Sequence, residues 1–345
     1  MKNKITIKKL GFFSAPILCM FVTACGDDSL LKAVRDFTKT RAAASEAVGK
    51  ISEDFYQSCV RQYSFLPIEP IPTILHLQKK TPYQQRIERL KKCNVQWEIG
   101  EDFKKSNDTL LKYMAALEAI SSDNVVVFPN TTRDKLVNAI NGLPLGNSNN
   151  PNVSAERQEA VKAGAGILQL ISKIFLNKFR KNQLSEAIVN TNDDVQVYVA
   201  ILKKSVQRGY IEGYLQQEQD NIDLQYNLIV TDLLRKEFPN IAPNNRPEKL
   251  AFDSSSPFYS IDNQWREKRA EVGKNIQIGR LYIQFLDEVA QGHNELYTLI
   301  KGKRPESLTE NQATQNQQKL IEKLARNRLK RIQYIAQQLE KELVR

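Results

Sequence analysis

Chemistry in this 345-residue chain would have to come from two histidines, four cysteines and 39 acidic side chains. A metal or acid–base site needs histidine beside a second ligand or a carboxylate at turn or helix spacing. His76 lies in a proline-rich stretch and His293 in a helical pattern, and neither has such a partner nearby. No His-Glu-x-x-His, Glu-x-x-His or paired Cys-x-x-Cys motif occurs. Gly164-Ala165-Gly166 lies inside a helix-like pattern and does not follow a strand, so it does not read as a phosphate loop. Asp27-Asp28 reads as a solvated linker and Asp193-Asp194 as a helix start, where acids suit the positive end of the helix dipole. His293 reads as a polar residue at a helix interface. No catalytic residue, metal ligand or cofactor is therefore expected. An enzyme whose site assembles from separate helices, under the loops near Phe128 or Phe258, is kept as an alternative.

The N-terminus is more specific. Lys2, Lys4, Lys8 and Lys9 precede an apolar run from Leu10 to Val22, which ends in Val22-Thr23-Ala24-Cys25. This order resembles the signal peptide and lipobox of bacterial lipoproteins; the apolar run is too short for a confident span, which needs roughly 20 residues. The resemblance implies that residues 1–24 are removed and that Cys25 becomes a lipid-bearing N-terminus. One acyl chain binds a membrane only marginally, whereas the two or three chains of a mature lipoprotein anchor it stably. In lipoproteins of double-membraned bacteria an Asp directly after the cysteine retains the protein in the inner membrane. Here Gly26 takes that position and the acid follows at Asp27. The resemblance thus implies a cell-envelope protein on the outer membrane, facing the periplasm. An ordinary secretory peptide cut near Ala24, or an uncleaved anchor, is the alternative.

Export changes the reading of the remaining thiols. Cys19 leaves with the signal and Cys25 carries lipid, so Cys59 and Cys93 are left in an oxidising compartment. An even remainder suggests a bridge, with two separate buried thiols as the alternative. The formal charge of +11 falls to about +7 once the four N-terminal lysines are gone. Basic does not mean nucleic acid for an exported chain. The available polyanions are lipid headgroups, wall or surface polymers and acidic proteins.

The 14 glycines and 13 prolines cluster in a few places and isolate long helical patterns. From Asp28 to Ser64, Leu30, Val34, Phe37, Ala44, Val48, Ile51, Phe55 and Cys59 recur at steps of three and four, interrupted at Arg41. Such a seam predicts a coiled-coil-like helix about 55 Å long. Leu66 to Pro72 cannot continue it and reads as the connector of a hairpin. Thr81-Pro82-Tyr83-Gln84 is a capping box for a second helix, whose apolar face is Ile87, Leu90, Trp97, Phe103, Leu110, Met114, Leu117 and Ile120, with an irregularity at Ile99-Gly100. An antiparallel hairpin brings Cys59 and Cys93 level.

Val125 to Phe128 reads as the one strand-like segment, and Asp134 to Ile140 as a short helix. Residues 142–153, rich in Gly, Pro and Asn, are the expected linker between a lipid-anchored hairpin (25–141) and a helical body (154–345). In that body a third helix runs from Ser154 to about Val189, and Asn190 to Asp194 caps a fourth that stops at Phe238-Pro239. After a polar loop from Asn240 to Ser260, a fifth carries Trp265, Val272, Ile276, Ile283, Leu286, Val289 and Leu296 to Gly302. Ser307-Leu308-Thr309-Glu310 caps the last. The expected fold is all-α, an extended antiparallel bundle of five or six long helices.

Two stretches suggest function. Ala160 to Leu176 combines small and large apolar residues, which suits close helix packing or, less readily given Lys162, Gln169 and Lys173, membrane insertion. The last helix concentrates Lys319, Lys323, Arg326, Arg328, Lys330 and Arg331. Of these, Lys323, Arg326, Lys330 and Arg331 form the expected surface for an anionic envelope polymer or an acidic protein. The reading is a non-enzymatic, lipid-anchored binding or scaffold protein, with a membrane-active, pore-forming-like bundle as the principal alternative.

Overall fold

The computed structural model describes residues 34–35, 38, 40–65, 81–122, 133–145, 151–176, 182–237, 257–302 and 312–344, and all regular structure among them is helical. Residues 1–33 with Cys25, His76, the Leu66–Pro72 connector, Val125–Phe128 and the Ser307–Glu310 capping box lie outside the described residues. The helices are α1 (Arg41–Phe65), α2 (Pro82–Lys91), α3 (Asn94–Ser122), α4 (Arg133–Gly142), α5 (Pro151–Leu176), α6 (Asn182–Lys204), α7 (Gln216–Glu237), α8 (Pro257–Gly302) and α9 (Gln312–Val344). Ser205–Leu215 joins α6 to α7 as a π-helical segment without a break.

The hairpin forms between α1 and α3. Paired positions run in opposite directions: Arg35 donates to Ser121 O, Arg41 faces Glu118, Ser52 Oγ donates to Gly100 O at 2.8 Å, and Cys59 meets Cys93. Val34, Ala44, Val48, Ile51, Phe55 and Cys59 are all buried, as the seam predicts. Thr81 caps α2 with the full reciprocal box: its hydroxyl accepts from Gln84 N and Gln84 Oε1 accepts from Thr81 N.

The second helix breaks earlier than expected. The chain turns at Lys92-Cys93, and helix continues straight through Ile99-Gly100. The glycine serves packing there, since a Cβ at Gly100 would collide with the Ser52 carbonyl of α1. The turn also resets the helical phase. Trp97, expected on the apolar face, is 56% exposed, whereas Phe103, Leu110, Met114, Leu117 and Ile120 point inward.

A second correction concerns residues 177–194. Helix α5 begins at Pro151 and ends at Leu176, and the next begins at Asn182, so Asn190 to Asp194 is helix interior and not a cap. Turn-forming side chains compete with helix because they can satisfy the backbone locally. Here they are occupied by helical and tertiary bonds: Thr191 Oγ1 donates to Ala187 O one turn back, and Asn192 bonds His293 of α8. The sites expected to end a later helix do so, at Glu237 before Pro239 and at Gly302.

From α6 through the π-helical segment to α7 the chain runs antiparallel to α8 along nearly all of its 46 residues. Asn192 meets Asn294, Gln196 donates to Ala290 O, Gly279 packs against Tyr210 and Ile211, and Tyr226 donates to Asp262. Helix α8 is the spine, touching α1, α6, α7 and α9. At 1.5 Å per residue it is about 70 Å long. Helices α5 and α6 form another antiparallel pair, and small residues let them approach: a Cβ at Gly164 would lie 2.8 Å from the Tyr198 ring. The inward face of Ala160 to Ile171 is therefore core, as its composition suggests. Among the described residues no helix is long and apolar enough to cross a membrane.

One apolar cluster runs from Val34 to Leu339 and includes residues on both sides of the turn-rich stretch, with Leu143 and Leu145 of that stretch inside it. Its centre is aromatic. Phe55 lies 5.8 Å from Phe103 and 5.1 Å from both Tyr210 and Tyr214, tying α1 to α3 and to the π-helical segment. Each fully buried ring of this kind contributes about 1.5–3 kcal/mol relative to exposure.

Candidate functional site

Of the residues singled out from sequence, Cys59 and Cys93 come together. Their Cα atoms are 5.7 Å apart and their sulfurs are at disulfide distance, within the range a bridge requires. Both are buried, Cys59 on α1 and Cys93 at the turn before α3.

The basic last helix is less available than its composition suggests. Lys323 and Lys330 are exposed. Arg331 lies 3.7 Å from Glu288 on α8, and Arg328 faces inward, donating to Glu288 at 2.9 Å and Glu295 at 3.2 Å. The Arg326 side chain lies outside the described residues. Part of the charge thus holds α9 to α8. At helical spacing the sequence cannot tell a solvated cation from one paired with another helix.

Two polar clusters lie inside the bundle, the first unmarked in the sequence and the second around His293, which the sequence places at a helix interface. In the first, Arg61 of α1 donates through Nε and Nη2 to Glu218 of α7 at 2.5 and 3.0 Å and through Nη1 to Asp54 at 2.9 Å. Asp54 also accepts from Tyr210 of the π-helical segment at 2.6 Å and from Asn275 of α8 at 2.9 Å. Burial raises the Glu218 carboxyl above its usual range, while the Arg61 guanidinium opposes that rise. Burial is the larger cause at Tyr210 too, reinforced by the Asp54 charge, so its hydroxyl stays protonated. The one legible signal was an acid, Asp54, directly beside Phe55 in the seam.

The second cluster surrounds His293, which is fully buried. Tyr113 OH lies 2.6 Å from Nε2 and 2.8 Å from Thr191 Oγ1, and Nδ1 lies 3.2 Å from Asn192 Oδ1. With Asn192 Oδ1 as acceptor, the neutral ring carries its proton on Nδ1 and accepts from Tyr113 at Nε2. Burial pushes His293 down to about 3. Geometry of this kind could move a proton, but neither the ring nor the Tyr113 side chain reaches solvent. Both clusters join helices.

An accessible feature lies elsewhere, in a recess of about 750 Å³ between α4 and α5. That volume falls within the roughly 300–1,000 Å³ of small-molecule sites. Arg133 and Asn141 border it from α4, and Arg157, Val161, Lys162 and Gln169 from α5. Neither sequence spacing nor motif marked it, because its walls come from both sides of the turn-rich stretch. Among the described residues no group of histidines, cysteines and acids is arranged to hold a metal ion.

No protein-family pattern, curated protein or solved structure matches this chain.

Proposed function

We propose that this chain is a lipid-anchored cell-envelope protein that acts by binding or by supporting an assembly, without catalysis. The observation that carries the reading is Val22-Thr23-Ala24-Cys25 at the end of a basic, then apolar, leader. Two features of the fold are consistent with it. The side chains best suited to proton chemistry, His293 and Tyr113, are sealed inside helix interfaces. The long antiparallel helices can hold a surface tens of ångströms from the lipid at about 1.5 Å per residue. The bilayer on which the anchor sits is proposed to be the outer membrane, with the body in the periplasm.

Metabolic labelling with a fatty-acid analogue should tag the protein, and Cys25→Ala should abolish both the tag and membrane retention. Unlabelled wild-type protein would overturn the anchor. Crosslinking in intact cells tests the binding half, since a scaffold requires a reproducible partner and an enzyme does not.

A further inference from the structure

We propose that the recess between α4 and α5 is a binding site for a phosphate group carried on a small or amphiphilic ligand. The inference deepens the binding reading above and does not need the lipid anchor. Three cations, Arg133, Arg157 and Lys162, face one concavity with no carboxylate among its lining residues. Asp194 of α6 packs over Gly166 and interacts with Lys162, and among the described residues neither arginine has a carboxylate within ion-pair distance. Like charges gathered on a concave wall focus a positive potential and favour an anion.

Arg157 is the decisive residue. Three part-buried arginines that join helices have carboxylates: Arg61 has Asp54 and Glu218, Arg269 has Asp223, and Arg328 has Glu288 and Glu295; Arg35, which is exposed, donates to the Ser121 carbonyl instead. Arg157 is also part-buried, yet its only bond among the described residues is from Nη2 to Leu143 O at 2.9 Å, and its Nε is buried without an acceptor. That carbonyl fixes the guanidinium in place without neutralising it. A held guanidinium loses little freedom on binding, and its remaining Nη hydrogens can donate to the oxygens of phosphate. Val137, Val161 and Ala165 supply an apolar wall beside the cations. The recess is also several times larger than a bare phosphate needs, so the rest of the ligand has room along it.

The test is calorimetric titration of the purified full-length chain with two water-soluble probes, glycerol phosphate and monomeric dihexanoyl phosphatidic acid, with dihexanoyl phosphatidylcholine as the zwitterionic control. Saturable one-to-one binding of either phosphate probe, and at least tenfold weaker binding of the control, is expected. Preference for the phosphatidic acid would identify an amphiphile as the ligand, and equal binding a headgroup alone. Arg157→Gln should weaken binding at least tenfold. Arg133→Glu, a change at an exposed residue with no side-chain bond among the described residues, should do the same without altering the thermal midpoint. Lys50→Gln with Arg280→Gln, exposed cations on α1 and α8, should change nothing. No saturable binding, or equal losses from this control and the recess variants, would overturn the proposal. Labelling at Cys25 is read separately, so the anchor and the phosphate site succeed or fail independently.

Discussion

His293 is held by Tyr113 and Asn192 in an interface with no carboxylate bonded to its ring, so burial alone determines its charge. Its affinity for a proton drops from the ordinary 6.5 to about 3 on folding. The unfolded chain therefore takes up the proton first. The stabilisation is complete above pH 6.5 and is lost as pH falls toward 3, amounting to about 2 kcal/mol by pH 5. Burial raises the carboxyls of Asp102, Asp108, Asp194 and Glu218, which gives the opposite sign, because their contribution is present at low pH and lost as pH rises. On going from pH 7 to 5 the imidazole therefore lowers stability while these carboxyls oppose the loss. Denaturant midpoints across that interval should fall more in wild type than in His293→Gln. Parallel slopes in the two proteins would show that His293 is not the titrating group.

At the scale of elements, Cys59 and Cys93 tie the end of α1 to the start of α3, next to the Arg61 cluster that joins α1 to α7. The cysteines are 34 residues apart in sequence, and closing a loop of that size should stabilise the fold by about 4 kcal/mol in the chain-entropy model. Replacing both with serine is expected to lower unfolding stability by about 2–4 kcal/mol, read from the urea midpoint with unchanged helicity. An unaltered midpoint would mean that the thiols are not bridged or that the bridge constrains nothing. The π-helical segment is the other unusual element. Its backbone offset turns Tyr210 toward Asp54 while Gly209 accepts the close approach of Pro144. Segments of this type are rare outside sites with a packing or functional demand; here the demand is to keep a run of more than fifty residues in register with α8 while reaching back to α1.

For the molecule as a whole, the apolar cluster is continuous. Residues from α1, α3 and α4 share it with residues from α5 through α9. Cooperativity follows shared core, because an element cannot leave without exposing its neighbours' apolar surface. Far-ultraviolet dichroism and tyrosine fluorescence are therefore expected to report one coincident thermal transition. Two separated transitions would mean that residues 142–153 divide the chain into independently stable units.

Much of this architecture was legible locally. A seam at steps of three and four predicts the buried face of α1, the Thr81 box predicts a helix start, and Pro239 and Gly302 predict helix ends, because each acts within one or two turns of chain. The lipobox-like leader is equally local. Residues whose role depends on a distant partner misled or stayed silent. Gly100 resembles an irregularity until Ser52 is placed against it, and Asn190 to Asp194 resembles a cap until Thr191 and Asn192 find partners. Arg328 and Arg331 resemble a free basic face until Glu288 is beside them. Arg157 and Arg133 become one recess only when α4 folds back on α5. Helix periodicity encodes which face turns inward, but hydrogen bonds and ion pairs between helices depend on how the helices are aligned. That alignment is set by packing along the length of α8.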